Sequence, residues 1–199
     1  MKILMIGGNG TIGKVVFRAL NQEHQVIVAG RTQGDHLVDI ADSDSISQLF
    51  EKIGHVDALV CIAGEAKWGA FSELSEQDYY IGIRSKLMGQ VNLVRLGLKY
   101  LNPGGSFTLT TGILADDPVA MTASAAMVNG ALHSFTKAVA LELDQDRRIN
   151  VVAAGLVEDA VDKYRSYFPG HDPVSMERVT NGYLKSVLGK INGSIIRVY

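Results

Sequence analysis

Gly7, Gly10 and Gly13 stand three residues apart in G-G-N-G-T-I-G, directly after the apolar run K-I-L-M-I. Glycines at this spacing handle phosphate by what they lack. Gly7 permits a sharp turn, Gly10 lets backbone come close to a pyrophosphate, and Gly13 lets the following helix sit near the sheet. The first N–H groups of that helix, at Thr11 and Ile12, and its positive dipole end then face the phosphates. A glycine motif alone is weak; between an apolar strand and a helix it points to a dinucleotide. Arg31 and Thr32 follow the next apolar run, Q-V-I-V-A-G. An acidic residue there takes the 2′-hydroxyl of NAD, whereas a guanidinium suits a 2′-phosphate, so the sequence favours NADP(H) over NAD(H). Asp39 and Ile40, in L-V-D-I, could edge the adenine, with a helix-start cap the rival role for Asp39.

These residues need strands and helices to hold them. Short β-type runs at 2–6, 25–29, 36–39, 58–62, 106–110, 149–153 and 194–198 alternate with helical patterns. The helices are expected over 11–20, after a cap at Asp42 or Ser43, over about 75–101, from about 120 to 143, and over about 173–188. Several of the strands are continuously apolar, which suits parallel strands covered on both faces. The expected fold is therefore α/β: one Rossmann-type domain over 1–199, a doubly wound parallel sheet of about seven strands in three α/β/α layers. Only R-T-Q-G-D joins the second strand to the third, too short for a helical crossover, so a helix is expected to be deleted there.

Composition excludes several functions. A formal net charge of -2 without a long basic run gives no reason to expect a nucleic-acid partner. Cys61 is the only cysteine, so no internal disulfide forms and a reducing, cytoplasmic setting fits. No apolar run approaches the roughly 18 to 20 residues that span a bilayer, so no membrane partner is expected. The histidines at 24, 36, 55, 133 and 171 lack ligand spacing, and no metal is expected.

The motif order resembles the short-chain dehydrogenase/reductase family over nearly the whole chain. The glycine turn is followed by Arg31, then D-I-A-D, then D-A-L-V-C-I-A-G, P-G-G-S-F-T-L-T-T-G, the helix A-L-H-S-F-T-K-A-V-A-L-E-L, and R-I-N-V-V-A-A-G-L-V. The resemblance implies cofactor contacts at Ala63, Gly64, Thr110 and Val157. It implies a substrate-orienting hydroxyl at Thr111, or at Thr110 if the loop length differs. In that family a tyrosine moves the proton and a lysine four residues later lowers its pKa. Those two positions fall on Ala125 and Asn129, and the family's helix asparagine falls on Lys86. Lys86 either points toward the cofactor as a replacement cation or general acid, or is a solvent-exposed helix lysine. Thr111 is likewise either site hydroxyl or strand packing. Tyr164 and Tyr167 fall in the family's substrate lid, and Trp68 at a pocket mouth or as a plug.

Two functions follow: an NADP(H)-dependent oxidoreductase on a small carbonyl or alcohol, or a catalytically silent NADP(H)-binding sensor or scaffold. A nucleotide-sugar or isomerase-like activity is a weaker third. The resemblance also implies a homodimer or homotetramer through the helices at about 75–101 and 120–143.

Overall fold

A computed structural model describes residues 1–199. The strands are β1 (Lys2–Ile6), β2 (Gln25–Gly30), β3 (His36–Leu37), β4 (Val56–Cys61), β5 (Leu101–Gly112), β6 (Arg148–Ala154) and β7 (Ile195–Val198). They form one seven-stranded sheet in the order β3-β2-β1-β4-β5-β6-β7, with every pairing parallel. Chain order reverses between β1 and β4, and the crevice beyond the carboxyl ends of strands at such a switch point is where ligands bind in doubly wound folds.

Alternate strand residues feed opposite layers. Leu4, Ile6, Leu59, Cys61, Phe107 and Leu109 join one buried cluster with α2 (Ser43–Ile53), α4 (Gly89–Gly97) and α5 (Ala123–Val139). Ile3, Met5, Ala58, Val60, Val152 and Ala154 join the other with α1 (Thr11–Leu20) and α7 (Met176–Leu188). The period of two in a strand thus makes the three layers, each core packed from both sides of the sheet.

No helix separates β2 from β3, as expected, and β3 itself is only His36–Leu37. The expected helix over 75–101 is not continuous. It divides into α3 (Glu76–Gly82), a π-helical segment (Ile83–Met88), α4 and a final 3-10 turn. The Gly89 N–H donates to the Arg84 carbonyl, an i→i−5 bond. Two glycines let α4 press on its neighbours: a Cβ at Gly89 would lie 3.0 Å from Ile40, and one at Gly97 would lie 2.6 Å from Phe50. β5 is longer than expected because Leu101 already pairs with Val56; a register shift then passes over N-P-G-G before Ser106 pairs with Ala58. α5 is shorter, beginning at Ala123 and ending at Val139, beyond which Gln145 and Asp146 take positive φ. No helix is long and apolar enough to cross a membrane.

Candidate functional site

Two cavities adjoin along the carboxyl ends of the strands. The first, about 250 Å³, is lined by Gly7, Arg31, Asp39, Ile40, Ala63 and Gly64 together with Glu65. The second, about 480 Å³, is lined by Thr11, Ile12, Lys86, Thr111, Ala125, Asn129 and Val157, with Trp68, Tyr164 and Phe168 on its aromatic side. Gly64 and Glu65 belong to both walls. The start of α1, Thr11 and Ile12, lines the second cavity, with no side-chain cap and no acidic residue in its first turn.

The glycines differ in what they permit. Gly7 has φ of +86°, and a Cβ there would lie 2.8 Å from the Ile62 carbonyl oxygen. A Cβ at Gly13 would lie 2.2 Å from the Gly7 oxygen, so Gly13 sets how closely α1 meets the turn and does not itself line either cavity. Gly10 has open space, its nearest neighbour to a notional Cβ being the Gly7 oxygen at 3.5 Å.

Arg31 reaches Glu65 at 3.5 Å, both side chains more than half exposed. Such a pair contributes little, so the guanidinium is available to a stronger anion. Thr32, expected beside it, is exposed and lines neither cavity. Asp39 lines the first cavity and does not cap α2: its Oδ1 accepts the Ala41 N–H at 2.9 Å, before the helix begins. The helix cap proper is Asp42, whose side chain accepts the Asp44 N–H.

Lys86 is half-buried in the second cavity wall and not a solvent-exposed helix residue. The π-helical segment brings its backbone against the loop after β4, where a Cβ on Gly64 (φ +120°) would lie 2.8 Å from the Lys86 Cα. No carboxylate pairs with it. Desolvation holds its ammonium below the ordinary lysine range; the neighbouring Cys61 thiol acts the other way. Burial pushes that thiol up to about 12, so Cys61 is a neutral core group and no nucleophile.

The structure corrects the expectation for Thr110. Its hydroxyl donates to the Cys61 carbonyl at 2.6 Å and pairs with the Tyr183 phenol at 2.7 Å, within the layer between β5 and α7. Its backbone N–H and carbonyl are both taken by the Gln90 side chain, at 2.8 and 2.9 Å. Thr110 therefore faces away from the cavities, while Thr111 lines the second. Gln90 and Tyr183 are fully buried, and no local motif marks them in the sequence because their partners lie 20 and 73 residues away. His133, whose Nε2 lies 2.8 Å from the Thr111 hydroxyl, was equally unmarked.

Ala125 and Asn129 occupy successive turns of α5 on the cavity wall, both buried. Asn129 Oδ1 has no hydrogen-bond partner. A buried acceptor left open costs about 1–3 kcal/mol, and a ligand hydroxyl or amide would satisfy it. Trp68 packs against Tyr164 and Tyr167 at 5.4 and 5.5 Å between ring centroids, on the aromatic side of the second cavity. No three His, Cys, Asp or Glu side chains converge as a metal site would require.

Fold and cavities together define a Rossmann-type α/β protein with a cleft at its topological switch point. Residues 14–181 match the family described as enoyl-(acyl carrier protein) reductase. The chain belongs to the short-chain dehydrogenase/reductase family. It is 45% identical to the protein lin1944 from Listeria innocua, with all of each chain covered and a TM-score of 0.98. It is 29% identical to a small-chain dehydrogenase solved in complex with NADPH, with 100% of this chain and 96% of that one covered and a TM-score of 0.88. Versicolorin reductase 1 of Dothistroma septosporum is 25% identical over 170 residues, 80% of this chain and 64% of that protein. For glucose and ribitol dehydrogenase homolog 2 of Arabidopsis thaliana the figures are 28% over 113 residues, 56% and 39%. The matches thus span less than two thirds of these curated relatives.

Proposed function

We propose that the chain binds NADP(H) across the two joined cavities and works as an oxidoreductase on a small carbonyl or alcohol. The observation that carries this reading is the continuity of the cleft: Arg31 lines one cavity, Thr111, Asn129 and the uncapped start of α1 line the other, and Gly64 and Glu65 join them. The residues fit a dinucleotide on grounds of their own. The Gly7 turn excludes a side chain, the α1 amides lack a protein partner side chain, and Asn129 Oδ1 is an open acceptor. The NADPH complex of the 29%-identical small-chain dehydrogenase supports the same reading.

Arg31 would meet the 2′-phosphate, Asp39 and Ile40 the adenine, and Thr11 and Ile12 the pyrophosphate through their N–H groups. Asn129 would accept from a sugar hydroxyl, and Lys86 would supply the positive charge that the Asn129 position lacks. When bound, the cofactor supplies or accepts the hydride. The aromatic wall of Trp68, Tyr164 and Phe168 would hold an apolar substrate and exclude water.

A second reading keeps binding and drops turnover. Ala125 has no proton to give and Asn129 no charge, so a silent NADP(H) sensor or scaffold also fits these residues. Fluorescence titration with NADPH and NADH, followed by a carbonyl panel watched at the nicotinamide absorbance, separates the two. Tight NADPH binding with turnover is the expected result; binding without turnover favours the sensor, and preference for NADH removes the Arg31 argument. We place the protein in a reducing cytoplasm, its single thiol free, and expect it to act as a homodimer or homotetramer.

A further inference from the structure

Thr111 lies in the wall of the second cavity, and its Oγ1 is 2.8 Å from His133 Nε2. His133 projects from α5, one turn beyond Asn129 and two beyond Ala125, so the helix that floors the cavity also backs its hydroxyl. The imidazole is 7% exposed, and its Nδ1 makes no protein hydrogen bond. A buried imidazole on a cavity hydroxyl can store a proton and return it, work that Ala125 does not do.

We propose that Thr111 and His133 form a proton-transfer pair: Thr111 meets the substrate oxygen, and His133 positions and recharges its hydroxyl. This rests on the oxidoreductase reading above. With the imidazole protonated, Nε2–H donates to Thr111 Oγ1, which frees the threonine proton for the cavity. In carbonyl reduction the hydride of a reduced nicotinamide dinucleotide adds to carbon and the C=O π pair moves onto oxygen. That oxygen takes the Thr111 proton, Oγ1 takes the Nε2 proton, and the imidazole is left neutral until solvent reprotonates it. In alcohol oxidation the same bonds break and form in reverse. Now Nε2 is bare, Thr111 donates to it, and the alcohol proton passes to Oγ1.

Charges around His133 set which form prevails. Burial lowers its pKa; the Asp116 carboxylate opposes that, while Arg197 and Lys137 reinforce it. Arg197 and Tyr199 both hydrogen-bond Asp116 and compete for its negative charge. The neutral imidazole therefore dominates near neutrality; as the Nδ1–H tautomer it accepts at Nε2, and proton acceptance from an alcohol is the direction the pair favours there.

The test uses the full chain labelled with 15N-histidine, followed from about pH 5 to about 9. The His133 signal is assigned by its loss in His133→Gln. The expected result is a His133 that titrates below the ordinary histidine value, whose Nε2 frequency moves in Thr111→Val and returns in Thr111→Ser. With NADPH and 4-nitrobenzaldehyde as probe, the reduction rate should fall as pH rises through that same pKa. His133→Gln should lose the break and on the order of a hundredfold in kcat at little change in KM. An Nε2 signal indifferent to Thr111→Val, or a Gln variant that keeps the rate and its pH break, overturns the pair. Neither of those results touches NADPH affinity, whose loss would instead overturn the cofactor reading.

Discussion

At the residue scale, the site is made by small differences in what each position lacks. Gly13 is the sharpest case. Its missing Cβ is what lets α1 start against the Gly7 carbonyl, so Gly13→Ala should lose about 1–3 kcal/mol of stability, read as a lowered urea midpoint, and weaken NADPH binding together with it. His133 gives a second prediction. Its folded-state pKa is depressed, chiefly by burial, so the unfolded chain binds the extra proton first. The stability that His133 contributes is therefore whole above the unfolded value of about 6.5 and is lost as pH falls from there through the folded value. Denaturation midpoints across that range should fall for wild type and flatten in His133→Gln. That Gly7, Arg31 and Asp39 meet at one cavity was legible, because each closes or follows an apolar strand run. Thr110 and Thr111 were not separable in the sequence, since adjacent strand residues face opposite layers and only the register shows which hydroxyl meets Tyr183 and which the cavity.

At the scale of elements, the strands were readable from apolar runs, whereas the break in the helix over 75–101 was not. Hydrophobic spacing of three and four cannot distinguish a continuous α-helix from one carrying a single π turn, because the apolar stripe resumes on the far side. Yet that turn carries Lys86 to the cavity wall. Just after it, Gln90 fastens α4 to β5 by two bonds to one residue, Thr110. Gln90→Leu fills similar volume but orphans a buried N–H and a buried carbonyl, at about 1–3 kcal/mol each. Urea unfolding should show that loss, and the Thr110 amide should exchange with solvent faster in the variant.

At the scale of the whole molecule, large apolar side chains remain exposed on the α3–α5 side: Ile81 at 40%, Met88 at 40% and Met127 at 43%. They lie on the helices through which the family resemblance implies pairing. Light scattering should give at least twice the 21.5 kDa chain mass, and Ile81→Ser with Met88→Ser should halve it without unfolding the chain. A monomeric wild type would sink that expectation and leave the cleft untouched.

The abrupt β2–β3 connection also has a bearing on solubility. A parallel sheet ends in rows of unpaired amides and carbonyls that another chain could adopt as a template. Here one border is His36–Leu37 alone, two residues long. The other is Ile195–Val198, where Arg197 places a charge that Asp116 holds with paired hydrogen bonds. Neither border offers a long, flat, uncharged strand on which misassembly by strand addition could begin.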